Sequence, residues 1–157
     1  QVKGQQVSIE LKGFVTQYTQ DDLEEIQDNL KKGSNKVVIE DGQILKLQKD
    51  NNGIIEKEIL TENWYDWIDY WAVDFQYEDK KEIIHTQNEK GEIEEHWTGN
   101  YIFENEWQSF RSRQNGQIEF KTTAYPYDNP GTYKIMVKVV DIMGVDTSQV
   151  VEVKVGG

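Results

Sequence analysis

Along the last quarter of the chain, Tyr133, Ile135, Val137 and Val139 alternate with Thr132, Lys134, Met136 and Lys138. A period of two puts successive side chains on opposite faces of an extended strand, one apolar and one wet. Val151, Val153 and Val155 repeat the alternation beyond a turn containing Gly144. The pattern predicts a terminal hairpin whose apolar set points into one core with Trp71 and Phe75, since a one-residue slip would turn the whole set to water. Asp128, Gly131 and Tyr133 also have the spacing of a tyrosine corner, in which a tyrosine at the start of a late strand caps an edge of an immunoglobulin-like sandwich.

The same reading runs along the rest of the chain. Val7, Ile9 and Leu11 alternate with Ser8, Glu10 and Lys12 and predict a first strand ending near Gly13 to Val15. Thr19 then reads as a helix N-cap with Asp22 in the capping-box position. Leu23, Ile26 and Leu30 share a helical face, Lys31 and Lys32 suit the negative end, and Gly33 stops the helix. Asp21, Asp22, Glu24 and Glu25 read as its solvated first turn. Val37–Glu40, Ile44–Leu47 and Ile54–Leu60 predict strands joined at Asp41-Gly42 and Asn51-Asn52-Gly53, pairs that tolerate positive φ. Trp64, Trp67, Ile68 and Trp71 have helical spacing while Trp71, Val73 and Phe75 have strand spacing, so a helical turn is expected to run into a strand near Tyr70. A hairpin is expected between Glu82 and Trp97, turning at Asn88–Gly91, and a further strand at Gln117–Thr122. The expected fold is mainly β: one immunoglobulin-like antiparallel β-sandwich domain over residues 1–157, with 17–62 as a helix-plus-hairpin insertion.

Composition sharpens this picture in three ways. An apolar fraction of 36% is low, so five Trp and eight Tyr must supply much of the buried area. A net charge of −12 disfavours phosphate backbones and anionic membranes as unaided partners. With no cysteine there is neither a disulfide framework nor a thiolate metal site. No apolar run is long enough to span a bilayer, and no signal-peptide pattern is present. The start at Gln1 instead of Met reads as a fragment of a longer protein or a mature product.

Candidate chemistry is sparse. The chain contains no Gly-x-Gly-x-x-Gly, no phosphate loop and no Gly-x-Ser-x-Gly elbow. His85 and His96 fit no standard zinc spacing, and no Ser-His-Asp arrangement is evident. Asp66, Asp69 and Asp74 stand among aromatics, as carboxylates do in sugar-processing clefts; the favoured reading has them facing water beside core rings. Asp141 and Asp146 flank the terminal turn, where turn chemistry is preferred over calcium. Trp64, Trp67, Trp71 and Trp107 make up an aromatic cluster. Arg111 and Arg113 are the only arginines and would share a face of an extended segment, suited to phosphate or carboxylate contacts or to an internal ion pair. No catalytic residue and no metal ligand is assigned.

Three segments recur in order: Trp67–Phe75, Trp97–Arg113 and Lys134–Thr147. Together they resemble the C-terminal region of a family of bacterial and archaeal site-specific adenine DNA methyltransferases of the type III-like restriction–modification kind, over roughly residues 60 to 155. The family pattern is more basic after the paired arginines, and has Phe-Gly-Asn where this chain has Met143-Gly-Val145. The family's catalysis lies upstream, in a domain that binds S-adenosylmethionine and carries an Asp-Pro-Pro-Tyr-type motif, which this chain lacks. The resemblance therefore implies a non-catalytic, cofactor-free, cytoplasmic domain for assembly, positioning or target engagement. Its partners would be the upstream methyltransferase domain or a restriction subunit, with DNA met only in the whole enzyme, through Arg111 and Arg113. The alternative is a secreted carbohydrate- or matrix-binding module that presents Trp64, Tyr65, Trp67, Tyr70 and Trp71 as a stacking platform. A hydrolase using Asp66, Asp69 or Asp74 is a distant third.

Overall fold

The computed structural model describes residues 5–15, 18 and 20–156. Half of the structure is strand and 7% helix, in several antiparallel sheets with a single α-helix among the described residues. The chain divides into two compact units, Leu11–Ile68 and a discontinuous one made of Gln1–Glu10 with Asp69–Gly157.

In the unit of residues 11–68, helix α1 (Leu23–Asn29) accompanies a meander of β2 (Asn35–Glu40), β3 (Gln43–Lys49) and β4 (Ile55–Ile59). Asp41 and Gly42 have φ of 50° and 72°, the left-handed pair that lets a two-residue turn follow the strand twist. The turn fixes Ile39 opposite Ile44 and Val38 opposite Leu45. Val38, Leu45 and Leu47 then share one face, covered by Leu23, Ile26 and Leu30 of the helical segment. Ile39 and Ile44 share the other, packed with Trp67, Phe14, Tyr18 and Leu60. Burial on both faces explains the adjacent apolar pair Val38-Ile39 on β2, while Val37 before it is exposed.

The helix is shorter than its sequence suggests. Its N-cap is Asp22, whose Oδ1 accepts from the Glu25 amide at 3.2 Å, and its C-cap is Leu30. Thr19, the expected cap, lies outside the described residues. Lys31, Lys32 and Gly33 fall beyond the helix; the Gly33 amide donates instead to the Lys49 carbonyl at 2.7 Å, anchoring the connection to β3.

The second unit is built on a four-stranded sheet in the order β11 (Asp146–Val155), β10 (Gly131–Asp141), β5 (Ile68–Asp74), β8 (Trp107–Phe110). A two-stranded sheet pairs β1 (Gln5–Val7) with β9 (Tyr125–Tyr127), and a separate hairpin pairs β6 (Lys81–Gln87) with β7 (Ile93–Tyr101). The strand of the aromatic segment begins at Ile68, directly after a 3₁₀ turn at Trp64–Trp67. Being central, β5 buries Trp71, Ala72, Val73 and Asp74 in succession.

On β10 the predicted alternation holds: Ile135, Val137 and Val139 are buried while Thr132 and Lys134 are exposed. On β11 it holds only at the end, where Val155 is buried and Val153 half-buried. Val151 is 37% exposed, against the expectation that it points into the core. As the edge strand, β11 has one neighbour, and only its last residues are covered. The tyrosine-corner contact is present: the Tyr133 hydroxyl donates to the Asn129 carbonyl at 2.8 Å.

Two further expectations are corrected. The first strand stops at Val7, leaving an isolated bridge between Glu10 and Lys121. Gln117–Thr122 forms no strand. Its backbone is used by side chains instead, the Glu119 amide donating to Ser109 Oγ at 2.8 Å and its carbonyl accepting Trp71 Nε1 at 2.7 Å. A stretch whose donors and acceptors are taken in this way cannot also form a ladder.

Candidate functional site

Trp64 and Trp67 belong to the unit of residues 11–68, and Trp71 and Trp107 to the other. Within residues 11–68, Trp64 meets Tyr65 edge-on at 5.6 Å, and Trp67 stacks on Tyr18 at 5.7 Å with planes 5° apart. In the other unit, Trp71 and Trp107 pack edge-to-face at 4.5 Å. Trp67 and Trp71 are buried. A sugar-stacking platform needs exposed ring faces, so neither ring can serve one. Trp71 is instead a structural hub whose indole N–H is satisfied by the Glu119 carbonyl.

The three aspartates of the aromatic segment have separate duties. Asp66 Oδ2 accepts the Asn63 amide at 2.7 Å and holds the entry to the 3₁₀ turn. Asp69 is exposed, and its carbonyl accepts the Arg111 amide at 3.2 Å. Asp74, expected to face water, is buried; its two oxygens accept the amides of Gln76 at 3.0 Å and Glu104 at 2.9 Å. A carboxylate saturated by backbone donors is a turn clamp. Asp141 is the same device at the terminal turn: also buried, it accepts Met143 N at 2.9 Å and Val145 N at 3.1 Å through one oxygen. Among the described residues no group of three or more His, Asp or Glu side chains is placed to hold a metal ion.

His85 and His96 sit on facing strands of the exposed hairpin. Each lies beside a glutamate, Glu95 at 3.7 Å and Glu94 at 3.4 Å respectively. Tyrosine hydroxyls are also used structurally. Tyr127 donates to the Phe75 carbonyl at 2.6 Å, and burial, ahead of the neighbouring Tyr125, pushes its pKa up to about 12. Burial likewise raises the Tyr77 phenol, with Asp79 adding to it.

Arg111 and Arg113 do not lie on an extended segment. A turn intervenes, with the Ser112 amide donating to the Asn115 carbonyl at 2.8 Å and the Asn115 amide returning to Ser112 Oγ at 3.0 Å. The Arg111 guanidinium donates to the Gly116 carbonyl and closes this loop. Arg113 is exposed on the turn and makes no hydrogen bond or ion pair among the described residues. Alternation alone could not distinguish these roles; the Ser112-x-x-Asn115 pairing of turn formers was the available sign.

Two of the open clefts stand beside elements already described. One of about 370 Å³ lies beside α1, lined by Asp21, Asp22, Glu25 and Lys36 among others. The other, of about 610 Å³, lies at the base of the exposed hairpin, with Tyr101, Phe103, Met136, Lys138 and Asp146 in its wall. Neither holds a histidine beside a hydroxyl nucleophile or a pair of buried carboxylates. The hairpin itself was read from the sequence only as a pairing element. Its exposed apolar residues, interleaved with glutamates from Glu92 to Glu95, were the feature missed.

No described helix is long and apolar enough to cross a membrane. No family model, curated protein or solved structure matches the chain.

Proposed function

We propose that this chain is a non-catalytic C-terminal β-domain of a site-specific adenine DNA methyltransferase, acting in assembly, positioning or engagement of the target. The supporting observation joins sequence to topology. The three segments that carry the resemblance contain β5, β8 and most of β10, which lie side by side in the order β10, β5, β8 in one sheet. Segments far apart in sequence thus contribute to one structural element, as expected if they are kept together for one purpose. An immunoglobulin-like arrangement of that element is part of this reading, and the Tyr133–Asn129 contact and the antiparallel sheets support it. S-adenosylmethionine chemistry belongs to the upstream domain in this reading, and the location is cytoplasmic.

The electrostatics set the mode of action. At −12 the isolated chain binds duplex DNA weakly or undetectably at physiological salt, since each phosphate contact needs a cation. Arg113, exposed, is the better placed of the two arginines to reach phosphate or a neighbouring domain, with Arg111 holding the loop that presents it. The test is charge reversal of Arg111 and Arg113, together and at Arg113 alone, in the full-length enzyme. Impaired DNA binding or methylation with an unchanged melting profile supports the reading. Wild-type methylation by the folded double variant removes the arginine assignment. A reading frame with no upstream methyltransferase domain removes the proposal altogether.

A further inference from the structure

Every residue of β6 and β7 is exposed. Ile83, Ile84, Ile93 and Trp97 are 43%, 47%, 75% and 47% accessible. The register sets Ile83 opposite Trp97, His85 opposite Glu95 and Gln87 opposite Ile93. Directly opposed residues share a face, so Ile83, Trp97 and Ile93 lie along one side and Ile84, Thr86, Glu94 and His96 along the other. Tyr101 continues the first face, meeting the Trp97 ring edge-on at 5.7 Å. Among the described residues each strand has only the other as neighbour, so β7 presents an outer row of N–H and C=O groups. A two-stranded hairpin standing alone is marginal in water, and a third strand is the usual remedy.

Charge selects what that strand can be. The hairpin carries five glutamates against two lysines between residues 81 and 101, and β7 holds Glu94 and Glu95 side by side. A second copy of this acidic chain would be repelled, and so would nucleic acid or an anionic lipid surface. Trp97 already takes a cation, with Lys81 Nζ 4.5 Å from its ring centroid. We propose that β7 is a docking edge for an extended, cationic segment of a partner protein in which apolar residues alternate with Lys or Arg. The segment adds as a third strand, bonded through its main chain. Its apolar side chains lie beside Ile93 and Trp97, and its basic ones reach Glu94 on the opposite face. This inference does not depend on the methyltransferase reading.

The probe is a fluorescein-labelled nine-residue peptide of alternating Val and Lys, followed by anisotropy against the full chain. Saturable binding is expected. A Ser–Lys alternating peptide of the same charge should bind at least tenfold more weakly. The double variant Glu94→Lys, Glu95→Lys should lose at least tenfold, and Ile93→Lys at least fivefold. Ile93→Thr keeps the β-branched shape and should lose affinity with an unchanged melting profile. Absence of saturable binding overturns the proposal, as does equal binding of the Ser–Lys peptide or indifference to the variants. Sedimentation showing a wild-type dimer that the variants abolish would assign the edge to a second copy and overturn it equally.

Discussion

The hairpins β10–β11 and β6–β7 are both antiparallel, both end in glycine-containing turns and both belong to the same unit, yet their fates differ. Ile135 on β10 is fully buried, whereas Ile93 on β7 is 75% exposed. Two causes separate them. On β10 Tyr133, Ile135, Val137 and Val139 line one face, and β5 lies alongside as a second neighbour. On β6, Ile83 and Ile84 are adjacent and so point to opposite faces, each diluted by His85, Thr86 or a glutamate across the strand. Neither face is apolar enough to recruit a second layer from its own chain. A hairpin signal reports pairing; burial needs the additional consistency of one face and a neighbour to cover it.

The strongest way to break this contrast is at the hub beside β10. Trp71→Ala removes a fully buried indole and the bond to Glu119, and should cost about 4 kcal/mol in chemical denaturation. Next in size, Val137→Asp buries an unpaired charge and should cost roughly 3 kcal/mol or more. The matched change Ile93→Asp should stay within about 0.5 kcal/mol, as exposed substitutions do. Equal losses at the two positions would abolish the distinction between the hairpins. Val151→Asp sharpens it within β11: with 37% exposure it should cost under about 1 kcal/mol, far less than Val137→Asp on the neighbouring strand.

Asp141→Ala strips the acceptor from two turn amides and should cost about 2 kcal/mol, read as a shift of the denaturation midpoint at unchanged slope. A further effect is one of pH. The Tyr127 phenol stands at about 12 in the folded chain against its ordinary 10.0. Between those values the unfolded chain has released the proton and the folded one has not, so stability falls as pH rises. The contribution is complete below pH 10 and gone above 12. Tyr127→Phe should flatten that part of the melting-temperature profile, and an unchanged alkaline slope would refute the assignment.

Much of the architecture could be read in the sequence because its signals were local. Asp41-Gly42 and Asn88–Gly91 determined turns through positive φ, and the turns fixed register. The failures share a cause in hydrogen bonds that alternation does not report, long-range for Trp71 and Asp74 and local at Ser112. Gln117–Thr122 has a strand's alternation but spends its backbone on Ser109 and Trp71. Arg111 and Arg113 have a strand's spacing but flank a turn held by Ser112 and Asn115. Asp74 looked like a solvent-facing acid because nothing nearby in sequence announces Glu104, thirty residues on, as its donor. Exposure on a hairpin is decided by which layers are absent, and no local pattern reports that.

The discontinuity of the larger unit has a kinetic side. Ile9 reaches Thr122 across 113 residues, and the whole of Leu11–Ile68 lies inside that loop. Closing a chain of that length costs roughly 4 kcal/mol, but the cost grows only as the logarithm of length. Removing 11–68 would shorten the loop by about half and recover only about 0.6 kcal/mol. Residues 11–68 hold their own short-range hairpins and can form as soon as they leave the ribosome. The β1–β9 pairing must wait for the distant strand to be synthesised. The edge of β1 thus stays open for most of synthesis, and a chain halted before Tyr125 would leave it an unpaired strand.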